Sequence, residues 1–126
     1  MGLSFFETMR GDLRDRWGRT CHMDIEVRID ADPIGPLLTT GEAKLSGVAH
    51  APPFADRSPL DGTFTLLPFT EHTMTYAFHF DDVDGQRLDF FGQKFLRLGS
   101  LPSTMTTLHG ELRRGDELLA SGALRF

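Results

Sequence analysis

The sequence predicts an all-β fold, an antiparallel up-and-down barrel of about eight strands with at most one short helical turn. Apolar and polar residues alternate with a period of two in several segments, which is the pattern of half-buried strands. These segments are separated mostly by short stretches rich in Gly, Pro or Asp. A parallel sheet is not expected, because the strands do not alternate with long helices. Because closure of a meander removes exposed strand edges, we expect residues 1–126 to form one barrel domain.

The amino-terminal half is expected to supply four strands. The first covers Leu3 to Met9, and the third and fourth cover Glu42 to His50 and Thr63 to Phe69, separated by a loop from Ala51 to Pro59. The second shows the clearest alternation, with an apolar side made of Met23, Ile25, Val27 and Ile29. The one helix candidate is Asp12 to Arg19, a short polar stretch between two glycines, for which we expect a single turn.

The carboxy-terminal half is expected to form two hairpins. A strand with an aromatic face made of Met74, Tyr76, Phe78 and Phe80 leads through an Asp-Gly turn at Asp84 and Gly85. The next strand, Gln86 to Arg97, carries one face made of Leu88, Phe90, Gly92, Lys94 and Leu96. Thr104 to Arg113 and Leu118 to Phe126 then pair across a loop that contains Gly115.

The aromatic composition points to two apolar surfaces. The chain has 11 Phe against one Tyr and one Trp, so nearly all of its aromatic surface needs burial or an apolar ligand. The expected inner face includes the ligand-binding candidates Phe64, Tyr76, Phe78, Phe80, Phe90 and Lys94. An eight-stranded barrel either is just filled by side chains or holds one small ligand, and both outcomes stay open. Phe91 and Phe95 fall on the opposite face, which indicates an enzyme partner, a homodimer interface or a covering segment such as Asp12 to Arg19.

Lys94 is the first candidate for chemistry, because the alternation places it among inward apolar side chains. A buried lysine either pairs with a carboxylate, here Glu7 from across the barrel, or titrates toward neutrality and serves as a base or an anion site. Lys94, Glu7 and Tyr76 are therefore the candidate acids and bases if the barrel is an enzyme. Arg10 is a further candidate, which either closes the end of the barrel or pairs with Glu7 and Lys94.

Several classes of function are disfavoured by composition and motifs. The net charge of −5, from 13 basic and 18 acidic residues, disfavours nucleic-acid binding. No apolar run approaches the roughly 18 residues that span a bilayer, and no signal peptide is recognisable. The single cysteine, Cys21, excludes an intrachain disulfide and fits a cytoplasmic protein. The five histidines are scattered without a His-x-His pair, and no Gly-x-Ser-x-Gly is present, so we expect no metal, no cofactor and no such nucleophile.

Three segments resemble a known family. They are FFETMRG (residues 5–11), FFGQKF (residues 90–95) and TTLHGELRRGDELLASGALRF (residues 106–126). They are similar to a module that accompanies actinobacterial flavoproteins of the cholesterol-oxidase branch of glucose-methanol-choline (GMC) oxidoreductases. The resemblance implies a calycin-like or lipocalin-like barrel in a bacterial accessory domain, close to lipid or steroid chemistry. The chain lacks a Gly-x-Gly-x-x-Gly, so the flavin site of that family is not expected here.

Together these observations predict a non-enzymatic module. It binds an apolar small molecule, such as a lipid or steroid, or docks on an enzyme that modifies one. The alternatives are a small barrel enzyme of the isomerase or cyclase type acting on a hydrophobic substrate, and a purely structural dimerising barrel.

Overall fold

Eight antiparallel strands close into one barrel. A computed structural model describes residues 2–67, 73–95 and 107–125. The elements are β1 (Leu3–Arg14), β2 (Thr20–Ala31), α1 (Gly35–Thr39), β3 (Glu42–Ala51), β4 (Ala55–Leu67), β5 (Thr73–Asp81), β6 (Arg87–Phe95), β7 (Thr107–Arg114) and β8 (Glu117–Arg125). Each strand pairs with the next along the chain, and β8 returns to pair with β1. The predicted fold class is therefore confirmed.

The two-residue alternation sets which side chains enter the barrel. Along β2 every second residue is buried, and the inner side consists of Cys21, Met23, Ile25, Val27, Ile29 and Ala31. The side chains between them stand in water or at its edge. Burial of each Ile or Met contributes on the order of 1.5–3 kcal/mol, so a shift of β2 by one residue would expose the whole inner set.

The predicted helical turn at Asp12–Arg19 is wrong. The strand β1 continues to Arg14, and a tight turn follows. The Asp15 carboxylate organises this turn by accepting hydrogen bonds from the backbone N–H groups of Trp17 and Arg19, both at 2.9 Å. The short helix forms instead at α1, where a proline occupies the first turn and its fixed φ favours helix initiation.

Gly11 does not end β1, because it lies where the barrel closes. A Cβ atom added to Gly11 would lie 2.1 Å from the carbonyl oxygen of Ala123 on β8. A glycine inside a strand often marks such a close approach of another backbone. The strand therefore needs glycine here.

The predicted loop from Ala51 to Pro59 is also wrong in extent. Only residues 52–54 form the turn between β3 and β4, and Pro59 lies within β4 opposite Val48. Proline is normally found in edge strands or loops. For this reason the start of β4 was predicted too late in the sequence. The predicted strand ends at Phe69, Leu96–Arg97, residues 104–106 and Phe126 lie outside the described residues.

Three glycines form a row across the inner wall. Gly92 on β6 pairs with Gly110 on β7, and Gly110 pairs with Gly122 on β8. A Cβ atom at Gly110 would lie 2.4 Å from Cζ of Phe90, and one at Gly92 would lie 2.8 Å from its Cε1. The ring of Phe90 therefore lies against the wall where side chains are missing.

Side chains fill the middle of the barrel. A side chain that lined a water-sized void would keep some accessible surface, but many inner residues have none. Those at 0% exposure include Met9, Leu13, Met23, Ile25, Leu45, Leu88, Leu108, Leu112 and Leu124. The inner surface around these residues is therefore packed, as is common for a barrel of eight strands.

Candidate functional site

Glu7, Tyr76 and Lys94 meet inside the barrel. Glu7 belongs to β1, Tyr76 to β5 and Lys94 to β6. Since β1 and β5 are four strands apart in either direction around the barrel, Glu7 reaches the other two from the opposite wall. Gly92 pairs with Tyr76, and the side chains of Phe90 and Leu108 fill the inner face beside this glycine.

The three side chains are mutually hydrogen-bonded. The Lys94 ammonium donates to Oε2 of Glu7 at 2.7 Å and to the Tyr76 hydroxyl oxygen at 3.1 Å. The Tyr76 hydroxyl donates to the other carboxylate oxygen, Oε1 of Glu7, at 2.5 Å. Each carboxylate oxygen thus has its own donor, as buried charges require. We call these three residues the polar cluster.

The polar cluster is shielded from water. The side chains of Lys94 and Glu7 are 2% and 7% exposed, and Tyr76 is also buried. Burial, together with the negative charge of Glu7, raises the pKa of Tyr76 well above its usual range. The phenol therefore stays protonated at neutral pH, and the carboxylate is occupied by two donors. This arrangement braces two walls of the barrel and offers no free base.

Aromatic rings extend from the polar cluster in a connected set. The Phe64 ring packs edge-on against Tyr76 with 5.3 Å between centroids, and Phe78 stacks on Phe90 at 4.9 Å. Phe80 adjoins Phe78 at 6.1 Å. The inward orientation of these predicted ligand-binding residues agrees with the alternation, and each is 1–3% exposed. Whether they bind a ligand stays a prediction.

Phe5 is a member of this set that sequence reasoning missed. Its ring lies 6.2 Å from that of Phe64, edge-on, and the residue is 38% exposed. Phe5 lies two residues before Glu7, so the strand period places both on the inner face. The alternation from Leu3 to Met9 was the signal that could have found it.

Arg10 lies apart from the polar cluster. It differs from Glu7 by an odd number of positions, so the two side chains point to opposite faces of β1. Its guanidinium is exposed and lies 3.9 Å from the Asp24 carboxylate. The alternative in which Arg10 pairs with Glu7 and Lys94 is therefore wrong.

Phe91 and Phe95 stand on the outer face of β6. They are 47% and 43% exposed, and the ring of Phe95 lies 6.1 Å from that of His109 on β7. We call these three residues the β6 patch. The prediction that Asp12 to Arg19 covers Phe91 and Phe95 is wrong, because that segment forms the end of β1 and the turn after it.

The charges beside the β6 patch are neutralised in pairs. Arg87 lies 2.9 Å from Asp89, and Arg113 lies 3.0 Å from Glu111. These four residues also line a cleft of about 260 Å³ beside Phe91. An apolar centre with a polar rim is the usual composition of a protein interface.

Asp82 is a second buried acidic residue. It was not among the candidate residues predicted from the sequence. Its side chain is 2% exposed and lies 2.8 Å from the Arg114 guanidinium. It also accepts hydrogen bonds from the backbone N–H groups of Asp84 and Gln86, at 2.9 and 2.8 Å. These donors lower the pKa of Asp82, and the backbone N–H of Gln86 has the largest effect. The Asp-rich turn was the signal, since such side chains commonly bond to the backbone two residues on.

The fold and the site define a closed eight-stranded antiparallel barrel with a buried Glu-Tyr-Lys cluster. Comparison with protein-family models, curated proteins and solved structures finds no match to the chain. Within the described residues, no three or more His, Cys, Asp or Glu side chains are grouped to hold a metal ion. The same residues contain no helix of the length and apolarity that crossing a membrane requires.

Proposed function

We propose that this protein is a non-enzymatic accessory module that docks on a lipid-modifying or steroid-modifying enzyme through the β6 patch. The observation that carries the proposal is the placement of Phe91 and Phe95 on the outer face of a strand whose inner face is fully packed. Aromatic side chains exposed on one face of a strand are typical of surfaces that bind another protein. In the monomer such exposed rings contribute little to stability.

The polar cluster supports a non-catalytic module. General acid or base catalysis needs a group that can gain or lose a proton near the operating pH. Tyr76 has a raised pKa, and Lys94 and Glu7 are joined at 2.7 Å. Their geometry is that of a structural ion pair.

The resemblance stated above indicates the class of enzyme partner. A GMC-type flavoprotein of the cholesterol-oxidase branch binds an apolar substrate and carries its own flavin, which this barrel lacks the motif to hold. The neutralised rim of the β6 patch fits an apolar surface on such a protein better than a strongly charged one.

A binding titration with a purified flavoprotein of this class tests the proposal. Saturable binding by the wild type is expected, with an affinity at least about tenfold lower for Phe91→Ser/Phe95→Ser, because truncation of central aromatic contacts commonly costs more than 1 kcal/mol each. Phe6→Ser, which removes an exposed ring on β1, is the matched control and should bind like the wild type. Equal binding by the double variant and the wild type would exclude the β6 patch as the docking surface.

A second candidate function is binding of an apolar small molecule at the Phe5 end of the barrel. It is favoured by one observation, the exposed fraction of Phe5 beside the buried ring of Phe64. Titration with fluorescent fatty acids and steroids should then give saturable binding that Phe5→Ser weakens. Absence of saturation would remove this candidate and leave docking in place.

A further inference from the structure

One edge of β1 has no strand partner among the described residues. The strand pairs with β2 from Leu3 to Arg14, but with β8 only from Arg10 to Arg14. Residues 3–9 therefore extend past the described end of β8. An unpaired edge presents N–H and C=O groups to which another strand can add.

This segment carries exposed apolar side chains on both faces. Leu3 and Phe5 continue the inner face and are 47% and 38% exposed, and Phe6 on the outer face is 76% exposed. Gly2 to Phe6 carries no charge, and the first charged residue, Glu7, is paired inside the barrel. Edge strands of soluble proteins are usually blunted by charged side chains, proline or bulges, and this segment has no charge and no proline.

We propose that this edge binds the same edge of a second copy of the protein, antiparallel and about a twofold axis at Phe5. Such an isologous contact places Phe5 opposite the second copy's Phe5, and Phe6 opposite the second copy's Ser4. Residues 2–8 take part, so the contact stays clear of Arg10, where the pairing with β8 begins.

The charges on β2 are complementary in this register. Arg28 pairs with Phe6 and Asp30 pairs with Ser4, so each central row of the joined sheet runs Arg28, Phe6, then Ser4 and Asp30 of the second copy. The two ends of each row carry opposite charges. The Arg28 guanidinium lies over the Phe6 ring, 5.8 Å from its centroid. A register centred on Phe6 would instead give a row with Arg28 at both ends.

The proposed contact reaches the candidate site through Phe5. Its ring touches Phe64, which in turn touches Tyr76. A second copy would cover the exposed side of Phe5. The β6 patch lies three strands away through β8 and β7, so docking on an enzyme and pairing of two copies use different surfaces.

Sedimentation velocity over a wide range of protein concentration tests the proposal. The wild type is expected to dimerise, and Phe6→Lys to weaken the dimer by about tenfold or more, because the two introduced charges are then diagonal neighbours across the axis. Phe6 is highly exposed, so the variant should fold, which circular dichroism checks. Val83→Lys is the matched control, since Val83 is 66% exposed on the turn between β5 and β6. This variant should dimerise like the wild type.

Cross-linking gives a second readout that needs no change of charge. In the proposed register, two cysteines in Phe6→Cys are diagonal neighbours about 7–8 Å apart, so a short bis-maleimide should give a covalent dimer. The native Cys21 is buried, and Val83→Cys should give no covalent dimer. A monomer at every concentration would overturn the proposal, as would a dimer that Phe6→Lys leaves intact. A dimer that survives Phe91→Ser/Phe95→Ser supports it independently of docking on an enzyme.

Discussion

Lys94 and Glu7 come from opposite walls of the barrel, and each lowers the cost of burying the other. A lone buried ammonium or carboxylate would be expensive, and the Tyr76 hydroxyl supplies the remaining contact to the carboxylate. The inward orientation of Lys94 and its pairing with Glu7 were among the alternatives that the sequence predicted. The enzyme alternative also grouped Tyr76 with these two residues. The hydrogen bonds of Tyr76 to both were not predicted, because the stagger between strands decides which inner residues meet across a barrel, and a periodic pattern does not contain it.

Removal of one partner of this pair should be far more damaging than removal of both. Lys94→Met is expected to lower the free energy of unfolding by about 3–5 kcal/mol, because it leaves a buried carboxylate without its ammonium. The double variant Glu7→Leu/Lys94→Met should cost clearly less than the sum of the two single changes. Tyr76→Phe should cost about 1.5–3 kcal/mol, because the hydroxyl's hydrogen bonds to two charged groups, Glu7 and Lys94, are lost. Urea denaturation measures all four, and additive energies for the pair would contradict a direct interaction.

At the scale of single elements, the turn between β5 and β6 is held by a side chain. Asp82 accepts two backbone N–H groups of the turn and the guanidinium of Arg114 from the neighbouring hairpin. The position of this turn was predicted from its Asp and Gly content, but the link to Arg114 was not, because the two residues are 32 positions apart. The Asp12–Arg19 error has the same origin. Local composition indicated a turn, and pairing with β8 extended the strand.

Asp82 should make the stability of the protein depend on pH in the acid range. Its pKa is lowered in the folded state, so its stabilisation is present above the unfolded pKa of about 3.9 and is lost as the pH falls through the folded pKa. Asp82→Asn should therefore be less stable than the wild type at pH 6, with a difference that shrinks as the pH falls below about 4. The midpoints of urea unfolding at several pH values measure this difference. A difference that does not change with pH would refute the assignment.

On the scale of the whole molecule, the barrel depends on the seam between β1 and β8. The eight strands and their order follow from alternation and short turns, so the closed meander could be predicted. The register of closure, with Arg10 opposite Arg125, could not, since every shift by two residues preserves the alternation. At this seam Gly122 lies so close to β1 that an added Cβ would be 2.6 Å from the carbonyl oxygen of Asp12.

A larger side chain at Gly122 should therefore open the seam. Gly122→Val is expected to destabilise the barrel by about 1–3 kcal/mol or more, because the obstacle is backbone that cannot rotate away. Ala123→Val, which enlarges the next residue on the other face of β8, is the matched control and should change stability little. Hydrogen exchange of the β8 amides locates the effect. Unchanged protection in Gly122→Val would show that the seam tolerates a side chain.

The row of Gly92, Gly110 and Gly122 gives the barrel a spectroscopic reporter. The Phe90 ring lies against the bare backbone of Gly92 and Gly110, within range of its ring current, and the stacked Phe78 ring holds it there. The α-protons of Gly110 and Gly92 should therefore resonate far from the usual glycine positions, in an uncrowded region of the proton spectrum. Any event that shifts the Phe90 ring, including entry of a molecule into the aromatic set, would move these resonances.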